Sequence, residues 1–166
     1  MARLSDELKM SRPFARAEEE ATLAICRTAD ILQQRIVEVL RQVDITPAQY
    51  NVLRILHKSP NGLACKQIAD RLITHDPDVT RLLDRMETRH WIKRKRSKDD
   101  RRVVFTCITS SGSKLLQDVR PLISALHTQQ YQGWGEPQLQ QLIELLDRVR
   151  ELKPDFQKEN NAYLPN

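Results

Sequence analysis

From Ala17 to Asp44 the chain runs without a glycine or a proline, and this stretch limits the available folds more than any other. Its apolar residues Ile25, Ala29, Leu32, Ile36, Val39 and Val43 follow one another at intervals of 4, 3, 4, 3 and 4. That spacing lays them along one stripe of a long helix, in the seam pattern of helices that pack side by side. The far end repeats the device. Leu139, Leu142, Leu146 and Val149 are spaced 3, 4 and 3, and Ile143, Leu145 and Leu152 widen the stripe. Such a helix can dock on its own domain. Two of them bracketing a compact middle are better covered by a second copy, because a two-fold dimer buries both seams at once. The expectation is a homodimer with a helical dimerisation region at residues 17–44 and 110–152, and terminal extensions at 1–16 and 153–166.

The middle, residues 45–109, reads as short helices followed by a hairpin. Thr46-Pro47-Ala48-Gln49 combines a capping hydroxyl, a proline for the first helical position and a glutamine where a capping box wants it. The helix it opens places Val52, Leu53 and Leu56 inward and stops before the turn cluster Pro60-Asn61-Gly62. A short helix follows, with Cys65, Ile68, Ala69 and Leu72 on one face; a third starts at Pro77 with Asp76 as its cap and turns Val79, Leu82, Leu83 and Met86 inward. Arg81, Arg85 and Arg89 recur every four residues, which stacks them on the outer face of that third helix. "HWIKRKR" and "RVVFTCIT" then read as two strands around a polar turn, Ser97 to Arg102, with Val103, Phe105 and Cys107 on one face and Val104, Thr106 and Ile108 on the other. Thr109 caps a further helix that carries Leu115, Leu116, Val119, Leu122, Ile123 and Leu126, and Pro121 is expected to kink it. The fold class is therefore mainly α with a small β-hairpin wing: a winged helix-turn-helix domain flanked by N- and C-terminal dimerisation helices.

Charge points to the partner. Between Arg81 and Arg102 stand ten basic residues (Arg81, Arg85, Arg89, Lys93, Arg94, Lys95, Arg96, Lys98, Arg101, Arg102) against four acids (Asp84, Glu87, Asp99, Asp100), so the segment carries 10 − 4 = +6. The whole chain is +5, so the positive charge is local. A local excess on one helix and one hairpin is a footprint for a polyanion, with the helix in a major groove and a wing-tip arginine in the minor groove of duplex DNA. The aspartates at the tip can hold an arginine in one rotamer.

No apolar run approaches the roughly 18 residues of a membrane span, and the first residues lack the apolar core of a signal peptide. The three cysteines, Cys26, Cys65 and Cys107, are far apart and form no C-x-x-C pair. They fit a reducing cytoplasm and argue against a disulfide framework or a structural zinc site. The expectation is a cytoplasmic protein with no membrane partner, no metal and no cofactor.

"DRRVVFTCIT" and "VTRLLDRMETRHWIKRKR" resemble the wing and the recognition helix of the MarR family of bacterial transcriptional regulators, and the order of elements is similar over roughly residues 17 to 152. The resemblance implies a homodimeric regulator, a repressor relieved by a small aromatic or phenolic effector, that binds a pseudo-palindromic duplex operator. It places Thr80, Arg81 and Arg85 on the outer face of the recognition helix, Arg102 in the minor groove and Asp100 beside it as its orienting aspartate. With the adjacent bases Arg94, Lys98 and Arg101, these form the expected DNA-binding set. Two departures stand out. His90 occupies the place between recognition helix and wing where the family usually has glycine, so the helix is open to ending differently. Thr22 occupies the place of the reactive cysteine in the peroxide-sensing branch, with Cys26 one turn later, beside the seam residue Ile25, where a small buried hydrophobe is expected.

Three other readings compete. A cysteine-based redox sensor of the same fold would need a reactive thiol. A winged-helix module for protein or RNA would lack two basic helices set one DNA turn apart. An enzyme would need a constellation that is missing: there is no Gly-rich phosphate loop, no H-E-x-x-H and no nucleophile elbow, and His57, His75, His90 and His127 are scattered.

Overall fold

The computed structural model describes residues 4–74, 78–96 and 103–152. The chain divides into two compact units, Met1–His127 and Thr128–Asn166. The elements run α1 (Leu4–Glu7), α2 (Ala17–Arg41), α3 (Pro47–His57), β1 (Leu63–Ala64), α4 (Cys65–Ala69), α5 (Val79–Thr88), β2 (Ile92–Arg96), β3 (Val104–Ile108), α6 (Ser110–Gln130) and α7 (Glu136–Glu151). Among the described residues no helix is long and apolar enough to cross a membrane.

The long first seam is indeed one helix, but α2 stops at Arg41 and not at Asp44. Asp44 takes a left-handed backbone (φ 53°). Its amide donates to the Arg41 carbonyl at 3.2 Å, and that of Ile45 donates to Leu40 at 3.3 Å. A short polar side chain tolerates this reversal, which closes the helix end by satisfying its last carbonyls. It also brings Leu40 and Ile45 into the core. Leu40, which the seam spacing passes over, is fully buried, whereas Ile25 is 38 % exposed.

Helix α3 forms as its opening residues dictate. Thr46 Oγ1 accepts from the Gln49 amide (3.2 Å), and Gln49 Oε1 accepts from the Thr46 amide (2.9 Å). Val52, Leu53 and Leu56 reach 0 % exposure. They meet Ile68 of α4, Val79, Leu82, Leu83 and Met86 of α5, and Leu116, Val119 and Ile123 of α6 in one core. Burying each of these side chains contributes about 1.5–3 kcal/mol.

Several expectations are corrected. Ala69 is exposed; it is the last residue of α4, a short helix that Asp70 caps. The third helix begins at Val79, two residues later than read: the Asp78 carboxylate accepts from the Arg81 amide at 3.1 Å and is the cap. Asp76 and Pro77 lie outside the described residues. The sheet has three strands and not two, in the order β1-β3-β2, since Leu63 and Ala64 pair antiparallel with Thr106 and Phe105. A two-residue strand has no periodicity to read. The hairpin register runs from Ile92 opposite Ile108 to Arg96 opposite Val104. Thr109 caps α6, its Oγ1 accepting from the Gly112 amide at 3.1 Å. Helix α6 continues through Pro121, whose ring leaves the Gln117 carbonyl without its helical donor. Cys26 is exposed on α2, Cys65 is half-buried and Cys107 is buried.

In the second unit α7 buries none of its residues. Ile143, Leu145 and Val149 are 50 to 55 % exposed, while Leu139, Leu142 and Leu146 are half-buried, so the stripe is open along one side.

Candidate nucleic-acid interface

Helix α5 separates its faces cleanly. Val79, Leu82, Leu83 and Met86 are buried, and this inward anchoring turns Thr80, Arg81 and Arg85 to solvent. The Arg81 side chain is 83 % exposed, with its Nε 3.1 Å from Asp78. Arg85 donates from Nε to the Arg81 backbone carbonyl at 3.3 Å, which holds its side chain back along the helix. Thr80 Oγ1 sits 4.0 Å from Cys65 Sγ of α4.

Arg89 leaves the row. The helix ends at Thr88, and His90 adopts the left-handed conformation (φ 57°) that the family's glycine would take. The His90 amide donates to Glu87 at 2.8 Å and the Trp91 amide to Met86 at 3.0 Å, so the ending keeps its usual form despite the side chain. The reversal swings Arg89 to the protein itself. Its guanidinium donates to the Asp44 carbonyl at 2.9 Å and to Asp44 Oδ2 at 2.8 Å, and it lies 4.0 Å over the Trp91 ring. The expected three-arginine face is thus a two-arginine face.

The basic strand also divides. Lys93, Lys95 and Arg96 of β2 are exposed, while Arg94 is half-buried. Arg94 Nη1 stands 2.7 Å from Asp84 and 3.1 Å from Glu87, both on α5. Lys98, Asp100, Arg101 and Arg102, the expected wing tip, lie outside the described residues. The structure thus brings Thr80, Arg81 and Arg85 together on one outward face and sets Arg94 apart from them.

A crevice of about 160 Å³ opens elsewhere in the first unit, lined mainly by Gln33 and Ile36 of α2, Tyr50 and Arg54 of α3, and Ile123 and His127 of α6. Ile73 and Thr74 close one side, a few residues ahead of α5. Arg54 donates to Asn51 Oδ1 at 2.9 Å. No sequence pattern marks this set, because its members are drawn from separate elements.

A MarR family model matches residues 45–104, from the start of α3 into β3. The HTH-type transcriptional regulator MhqR of Bacillus subtilis (strain 168) is 32 % identical over 106 residues, which cover 63 % of this chain and 72 % of MhqR. The chain belongs to the MarR family. It is a transcriptional regulator of winged-helix fold, and its relatives are regulators rather than enzymes. Solved MarR structures share that fold. A mutant MarR from E. coli complexed with operator DNA has a TM-score of 0.72 and 21 % identity, covering 89 % of this chain and 99 % of that one. CouR from Rhodococcus jostii RHA1 bound to p-coumaroyl-CoA has a TM-score of 0.71 and 18 % identity, covering 82 % of this chain and 95 % of CouR.

Proposed function

We propose that this MarR-family chain is a homodimeric, sequence-specific duplex-DNA-binding repressor released by a small aromatic or phenolic effector. The observation that carries it is α5, whose apolar side is locked in the core while Thr80, Arg81 and Arg85 face outward beside a basic strand. In this reading α5 lies in the major groove, where Arg81 and Arg85 read base edges and Thr80 contacts base or backbone. Lys98, Arg101 and Arg102 at the wing tip reach the minor groove, with Asp100 orienting Arg102. Residues 45–109 form the DNA-binding domain. Residues 17–44 and 110–152 form the dimer, supported by the apolar residues left open on α2 (Leu23, Ile25) and on α7 (Ile143, Leu145, Val149).

The two arginine sites are separable by experiment. Arg85→Ala is expected to relax base choice at one or two positions per half-site, by about 1–3 kcal/mol each. Arg102→Ala is expected to weaken all targets, most where A·T tracts narrow the minor groove, and Asp100→Ala to do the same more mildly. Titrating the three variants against a panel of operator duplexes at one salt concentration decides. Unchanged affinity of Arg102→Ala on every duplex would remove the wing from the interface.

The crevice between α2, α3 and α6 suits the effector. Tyr50 and Ile36 offer apolar contact, and Arg54 and His127 offer donors to an anionic or phenolic oxygen. A ligand there would press on Ile73 and Thr74, which lead toward α5. Coumarate is expected to release DNA from the wild type, with the half-effective concentration raised about tenfold in Arg54→Ala, the loss of one charged hydrogen bond. If the two proteins respond to the same concentration, the effector does not use this crevice.

A further inference from the structure

We propose that Arg94 is a positioning residue: it clamps the first wing strand to the recognition helix and offsets one of the two negative charges that Asp84 and Glu87 place on that helix, so that less repulsion faces the DNA phosphates. The inference rests on the DNA-binding reading for its second half only. Three contacts carry it. Arg94 Nη1 lies 2.7 Å from Asp84 Oδ1 and 3.1 Å from Glu87 Oε2, and the Arg94 backbone amide donates to Glu87 Oε1 at 3.0 Å.

Among the described residues strand β2 is an edge of the sheet, paired with β3 alone. Every second amide of an edge strand points away from its neighbour and needs another acceptor. Glu87 supplies that acceptor for Arg94, so one carboxylate takes both the edge amide and the guanidinium. The strand is fixed to α5 at the middle of its register, where Arg94 stands opposite the buried Thr106. Strand β2 is the first strand of the hairpin, so this joint sets how that strand sits against the helix.

The electrostatic need is equally direct. Asp84 lies between Arg81 and Arg85 in sequence, with its side chain 54 % exposed, and Glu87 is 38 % exposed. A carboxylate on a helix in the major groove repels phosphate unless a cation covers it. Arg94 is shared by both acids and lowers their combined charge from −2 to −1. With its side chain 30 % exposed against 83 % for Arg81, it is a poor candidate for a direct phosphate contact.

The test uses the full-length chain. In the absence of DNA, Arg94→Met is expected to speed amide hydrogen exchange at position 94 and along β2 by about tenfold or more, as opening of this edge becomes easier. Asp84→Asn/Glu87→Gln, which keeps Arg94, is expected to loosen the same amides and covers the case in which Arg94→Met folds poorly. Unchanged exchange in both variants would overturn the clamp. On one duplex, Arg94→Met is expected to weaken binding about tenfold in the wild-type background but no more than about threefold in the Asp84→Asn/Glu87→Gln background, because its partners are already gone. Equal losses in the two backgrounds would show a direct phosphate contact and overturn the neutralising role. If the wild type binds no duplex, the DNA-binding reading fails, while the exchange measurement still decides the clamp.

Discussion

Between 50 and 200 mM monovalent salt, the affinity of this protein for duplex DNA is expected to fall about 10⁴-fold. The size of the effect follows from counting phosphates. If the helix and wing of each protomer make about four phosphate contacts, a dimer displaces counterions from about eight, and log K falls against log salt with a slope near −7. A monomer with the same footprint would give a slope near −3.6, so the slope also reports the assembly. Arg81, Arg85 and, on β2, Lys93, Lys95 and Arg96 are exposed to solvent and able to approach a polyanion, which is the physical basis of the steep dependence. Anisotropy titrations at four salt concentrations measure it, with light scattering on the same sample to fix the mass near twice 19.4 kDa. A slope shallower than about −2, or tighter binding to single-stranded RNA, would sink the duplex-DNA reading.

The second large effect is on stability, at a residue with no charge and no side chain. Gly112 lies in the first turn of α6, where a Cβ would stand 2.1 Å from the Trp91 carbonyl oxygen and 3.1 Å from Ile108 Cγ1. Glycine to alanine in a helix ordinarily stabilises by about 1 kcal/mol. Here the added methyl meets backbone that is itself pinned. The Trp91 carbonyl accepts from the Thr109 amide at 3.0 Å, and the His90 carbonyl accepts from Thr109 Oγ1 at 2.7 Å. Neither segment can step aside without giving up those bonds. Gly112→Ala is expected to destabilise the protein by about 3 kcal/mol, the upper range for overpacking a fixed site, and to lower Tm by roughly 6–12 °C. Calorimetry checks the sign first. A variant as stable as wild type would mean that the α6 start and the wing base shift freely. Because α6 would move against Trp91, which immediately precedes β2, loss of DNA affinity should accompany loss of stability.

The joints at Arg89 and Arg94 explain why a run of basic residues does not act as one surface. In the sequence, Arg81, Arg85, Arg89 and Arg94 form a continuous positive band. In the fold, the first two are presented outward, the third is spent on Asp44 and Trp91, and the fourth on Asp84 and Glu87. Two of the four therefore serve to hold the recognition helix at its C-terminus and along its flank. Partly exposed ion pairs contribute modestly one by one, but here each comes with a second contact, a stacked indole or a backbone amide, that fixes its geometry.

What the sequence determined by itself is what depends on neighbours within one element. The capping box at Thr46, the inward set Val52, Leu53, Leu56, Val79, Leu82, Leu83 and Met86, the cap at Thr109 and the pairing of the two wing strands are all local, governed by helix period, strand period and hydrogen bonds over three or four residues. The outward placement of Thr80, Arg81 and Arg85 follows from the same period, because an anchored apolar face leaves only one direction for the rest. The tertiary structure alone decided where side chains of different elements meet. Arg94 finds its partners seven and ten residues away, across the turn into the sheet; Arg89 finds Asp44 at a separation of 45 residues; the strand at Leu63 exists only because β3 lies beside it; and Gly112 is required by a carbonyl in another segment. Periodicity says which way a residue points on its own helix or strand, but carries no record of what the completed fold will set opposite it, and it is that opposition which decides whether a positive charge is offered to DNA or used to hold the reader in place.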